Sequence, residues 1–139
     1  MIAQASSPRR GVLSVVERGW RGARACSIVL SAAGVPVTHV IKGYVNRDLR
    51  AMIQPYRRMH LISVPRPVFR LGLWCALIVG TVTRRLRWVL VDHERTLREI
   101  GWWCRLFDVT PVTICDTEGG YELYQDGRQR LPGELFGIG

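Results

Sequence analysis

The feature that most constrains this chain is a repeated alternation, in which short runs of β-branched and apolar residues are separated by segments of helix length. VLSVVE at 12–17, PVTHVIK at 36–42, MHLISV at 59–64, WVLV at 88–91 and PVTIC at 111–115 read as five strands. Helices are expected between them, at 22–33, 47–56, 69–86 and 96–107. Gly34 and Pro36 stop the first of these helices, Pro55 stops the second, and Pro65 with Pro67 closes the third strand. Strands that alternate with helices pair in parallel through right-handed crossovers, which places helices on both faces of the sheet. Strands covered on both faces lack polar alternation, as these do. The expected fold is therefore α/β and Rossmann-like: a doubly wound, five-stranded parallel sheet in the order 3-2-1-4-5, within a three-layer sandwich.

The length of 139 residues and the 47% hydrophobic content suit one core. The expected domain spans 11–120, after a flexible N-terminus at 1–10. Residues 121–139 lose the alternation and turn rich in glycine and charge. They read as a loop, a small hairpin around Asp126 and Gly127, or a truncated link to an absent domain.

Charge narrows the choice of partners. The formal net charge is +9, from 20 Lys and Arg against 11 Asp and Glu, and Lys42 is the only lysine. Guanidinium groups favour phosphates, carboxylates and lipid headgroups, so an anionic membrane surface is an expected partner and nucleic acid a lower-ranked one. No RNA-recognition aromatic signature or helix-turn-helix is visible. Residues 71–83, LGLWCALIVGTVT, carry no charge and lie between Arg70 and the group Arg84, Arg85 and Arg87. That run falls short of the roughly 20 residues a membrane span needs. It reads as a buried core helix or, alternatively, as one lying in a membrane interface. With no apolar signal segment after the polar start, the expected location is cytoplasmic with peripheral membrane contact.

Cys26, Cys75, Cys104 and Cys115 are scattered through apolar stretches and read as buried, reduced side chains. His39, His60 and His93 lack ligand spacing with them, so neither a metal site nor a cofactor is expected.

In open α/β sheets, ligands bind at the carboxyl ends of the strands where the strand order reverses. For this order, the crevice lies between the first and fourth strands. Arg18, Gly19, Trp20 and Arg21 follow the first strand, Asp92, His93 and Glu94 the fourth, and Asp116 the fifth. The loop R-G-W-R-G-A can bring backbone amides and two guanidiniums to an anion, or its glycines can serve helix packing alone. His93 between two carboxylates suits a general base, and Asp92 is the second candidate; a helix cap is the structural alternative for this tripeptide. The dinucleotide fingerprint, the P-loop and the G-x-S-x-G elbow are absent from the chain.

The order of segments resembles a known family. AAGVPVTHV after an apolar helix, and RRLRWVLVDHERTLREIGWWCRLFDVTPVTICDTEGG later in the chain, are similar in pattern to the amino-terminal, acceptor-side Rossmann-like domain of GT-B glycosyltransferases. The likeness covers roughly residues 11–120. It implies a glycosyltransferase-like half, an acceptor-side or membrane-anchoring subunit or fragment that needs a donor-binding partner domain for activity. It also implies a nucleotide-sugar or lipid-linked acceptor as ligand. Asp92 or His93 would then serve as base, with Arg18, Gly19, Trp20, Arg21, Glu94 and Asp116 as binding residues.

Overall fold

The structure, a computed structural model, describes residues 10–18, 21–43 and 59–137. In chain order it contains β1 (Gly11–Val16), α1 (Arg21–Ala32), β2 (Val37–Lys42) and β3 (Met59–Val64). A 3-10 turn (Arg66–Val68) leads into α2 (Phe69–Val82), β4 (Leu86–Val91), α3 (Glu94–Leu106) and β5 (Thr110–Thr117). Then come β6 (Gly120–Gln125), β7 (Arg128–Arg130) and the short α4 (Pro132–Phe136). The expected helix at 47–56 and the expected flexible segment before Arg10 lie outside the described residues.

All seven strands form one mixed sheet in the order β3-β2-β1-β4-β5-β6-β7. The pairs from β3 through β5 are parallel, while β5 with β6 and β6 with β7 are antiparallel. The expectation of a five-stranded, purely parallel sheet is thus corrected to a seven-stranded mixed one. The two added strands come from the Gly-rich segment. Asp126 and Gly127 both take positive φ, 52° and 80°, which matches the right-handed twist of a two-residue hairpin. Of the side chains of β6 only Leu123 is buried, so the strand lacks the apolar run that marks its neighbours.

Burial on both faces explains the apolar strands. Leu13, Val15, Val40, Val89 and Val91 face Phe69, Leu73 and Leu77 of α2 and Ile100 and Cys104 of α3. On the other face, Val12, Val37, Leu90, Val112 and Ile114 meet Cys26 and Leu30 of α1, with Leu123 and Phe136 completing the layer. All six residues of β1, the central strand of the parallel section, are buried.

The end of α2 differs from expectation, because a charged residue there takes the conformation glycine favours. After α1, Gly34 takes φ 85°, and the amide of Val35 donates back to Leu30 O at 2.9 Å. This is the left-handed cap that glycine favours. The helix expected over 69–86 instead stops at Val82, because Arg84 adopts the same conformation at φ 56° and the Arg85 amide donates to Gly80 O at 3.0 Å. Asp108 repeats the cap after α3, at φ 56°. The expectation of four buried cysteines also needs correction. Cys26 and Cys104 are buried, whereas Cys75 lies on the outer side of α2 and Cys115 on the exposed end of β5.

Candidate functional site: a carboxyl-edge crevice and a basic apolar face

Where β1 and β4 run side by side, their carboxyl ends deliver Glu17 and Arg18 next to Asp92. The Asp92 carboxylate spans the gap between the strands. It accepts the Glu17 amide at 3.1 Å on both oxygens and the Arg18 amide at 2.7 Å on Oδ2. Charge-assisted bonds of this kind hold a loop more firmly than neutral ones. Glu17 extends the network: its side chain, 5% exposed, accepts from Thr96 Oγ1 of α3 and lies 3.9 Å from Lys42 Nζ at the end of β2. The end of β1, the end of β2 and the start of α3 therefore meet at one buried carboxylate.

His93 caps α3. Its Nδ1 accepts the Arg95 amide at 3.1 Å, which starts the helix at Glu94, two residues earlier than expected. An imidazole accepting at Nδ1 carries its proton on Nε2 when neutral. Nε2 lies 3.3 Å from Arg18 Nη2, so the ring and the guanidinium contact each other at the edge of the sheet.

Asp116 serves the neighbouring helix, accepting the Gly22 amide at 2.9 Å in the first turn of α1. Glycine is required at that position by close approach, since a Cβ would stand 2.2 Å from Asp116 Oδ1 and 3.1 Å from Tyr121 Cβ. Arg21 and Glu94 are exposed as the first residues of α1 and α3. Gly19 and Trp20 lie outside the described residues. The structure thus brings Arg18, Asp92 and His93 into one cluster and sets Asp116 beside the start of α1. Glu17 closes the first strand in the sequence beside Arg18, at the same crevice, but its partners Lys42 and Thr96 were missed as site residues. Among the described residues, no group of three His, Cys, Asp or Glu side chains could hold a metal ion.

A second surface lies on the outer side of α2 and α3. Val68, Leu71, Cys75, Ile78, Val79 and Val82 are exposed at spacings that follow one face of a helix, and Leu71, Val79 and Val82 are each more than 60% exposed. Trp102 and Leu106 of α3, 55% and 70% exposed, lie alongside. The two helices are tied together. Trp74 stands 6.1 Å from Trp102 and 5.9 Å from Trp103, Trp103 Nε1 donates to Thr81 Oγ1 at 3.0 Å, and Arg70 pairs with Glu99.

No protein-family model and no curated protein matches this chain.

Exposed arginines surround the apolar stripe: Arg66 precedes α2, Arg85 follows it, and Arg95, Arg98 and Arg105 line the outer side of α3. Contiguous exposed apolar surface with a polar rim marks an interaction site. Among the described residues, no helix is long and apolar enough to cross a membrane.

Proposed function

We propose that the chain is a membrane-peripheral module of a glycosyl-transfer system. It lies on anionic lipid through the outer side of α2 and α3, and it needs a donor-binding partner for any catalysis. The observation that carries the membrane part of this reading is the apolar stripe with arginines on its rim. Charge complementarity selects lipid as the occupant: the apolar side chains enter the acyl boundary while the guanidiniums meet phosphates on long, flexible stems. Each arginine near such a surface contributes about 1 kcal/mol. An exposed valine or leucine entering the boundary adds roughly 1 kcal/mol of apolar transfer.

The glycosyl-transfer part is supported by the pattern resemblance and by the parallel strand order, which sets Arg18, Asp92 and His93 at the edge where such folds bind ligands. In this cluster Arg18 is exposed, while His93 Nδ1 is engaged by the Arg95 amide and the Asp92 carboxylate by two loop amides. Such a set suits a phosphate or a sugar hydroxyl better than it suits proton abstraction.

Flotation with phosphatidylcholine vesicles, with and without phosphatidylglycerol, tests the membrane reading. Binding should require the anionic lipid, weaken with salt, and be lost in Leu71→Glu and Val79→Glu, whose exposed positions spare the fold. Indifference to lipid, combined with a monomer–dimer equilibrium that both substitutions abolish, would assign the face to a second copy of the chain.

A further inference from the structure

At the opposite, amino edge of the sheet, the ends of α2 and α3 and the start of β1 enclose an open cleft of about 500 Å³. Two arginines line it, Arg10 and Arg84, together with apolar Val82, Leu106 and Phe107 and one acid, Asp108. We infer that this cleft binds the phosphate monoester headgroup of an anionic lipid, an inference that rests on the membrane reading above and names the lipid chemistry it selects.

Three observations carry it. Arg10 is held in place at the wall of the cleft by Nη2 donating to Leu86 O at 2.8 Å, so its guanidinium is positioned before any anion arrives. Arg84 stands at a left-handed position where α1 uses Gly34, so a charged side chain is kept where glycine would be less strained. Strain of this kind gathers where a side chain serves a ligand. The cleft also shares Val82 and Leu106 with the exposed stripe that the membrane reading places in the lipid boundary. A headgroup held between Arg10 and Arg84 would leave its acyl chains beside those two residues, which favours a lipid over free phosphate. A monoester carries more charge than the diester of phosphatidylglycerol and can accept from both forks.

The test uses the full chain and vesicles of phosphatidylcholine with either phosphatidate or phosphatidylglycerol, adjusted to equal surface potential. Wild-type protein should prefer phosphatidate by about tenfold, as an additional charge-assisted contact would give. In Arg84→Gly the preference should vanish while the melting temperature rises by roughly 3 °C, because the left-handed strain is relieved. Arg10→Gln should also lose the preference, and Asp108→Asn should strengthen it. Equal binding of both lipids by wild type would overturn the cleft assignment and leave the membrane reading standing. Indifference to both lipids would overturn the two together. Inorganic phosphate that raises the melting temperature without vesicles and abolishes the preference would overturn the lipid source in favour of free phosphate.

Discussion

His39 gives the protein a built-in sensitivity to acid. It sits in β2 with 0% exposure, between the register partners Ser14 on β1 and Leu61 on β3, neither of which carries charge. Burial disfavours the imidazolium and pushes the pKa down from 6.5 to about 4. Above pH 6.5 the ring is neutral in both folded and unfolded chains, and its contribution to stability is fully present. As the pH falls from 6.5 toward 4, the unfolded chain takes up a proton that the folded one refuses, so unfolding becomes easier by about 1.4 kcal/mol per pH unit. The full gap amounts to roughly 3 kcal/mol, a large share of the stability of an ordinary domain. Urea denaturation of wild type, His39→Leu and His39→Gln between about pH 7 and pH 4.5 measures it. Relative to either variant, wild type should lose roughly 2–3 kcal/mol across that range. Parallel pH profiles for the three proteins would refute the argument, because other acid-sensitive groups act equally in all of them.

Further outcomes follow from the same packing. Burial pushes the Cys26 thiol up to about 12 and the Cys104 thiol up to about 11, whereas Cys75 and Cys115 are exposed. A thiol reagent should therefore titrate two cysteines quickly in native protein and four in denaturant. Gly22→Ala should destabilise by about 1–3 kcal/mol through overpacking against Asp116, and much less in an Asp116→Ala background, a non-additivity that melting curves can read. Gly72→Ala should cost a similar amount, since its Cβ would stand 2.8 and 2.9 Å from the two γ carbons of Val64.

The parallel core was legible because five apolar runs at helix-spaced intervals leave few topologies, and that topology alone brings the residues after β1 beside those after β4. The convergence of Arg18, Asp92 and His93 could be anticipated on this ground. The end of α2 could not, because Arg84 takes a conformation that sequence reading assigns to glycine. β6 was legible only as one arm of a small hairpin around Asp126 and Gly127, because a half-exposed strand needs no apolar run to pair between β5 and β7. The Glu17 network was hidden for another reason. Its contacts to Thr96 and to Asp92 join residues 79 and 75 positions apart, and local pattern carries no trace of such pairs.

Asp92 is the residue for which the sequence and the structure point to different roles. The sequence offers it as a base, whereas its carboxylate accepts two backbone amides and so fastens the loop after β1 to the end of β4. A base and an anchor respond differently to the same substitution. In Asp92→Asn, one oxygen can still accept, but the new amide group sets a donor against the Glu17 amide and the charge assistance is gone. An anchor should lose about 1–2 kcal/mol of stability by this change, and roughly 2–3 kcal/mol in Asp92→Ala, where the amides lose their acceptor. A base would give the reverse result: near wild-type melting for the isosteric variant, with the loss confined to turnover. Thermal or urea unfolding decides between them without a substrate. Asp92→Asn unfolding together with wild type would refute the anchoring role, and the proton-transfer role would then become the reading to pursue.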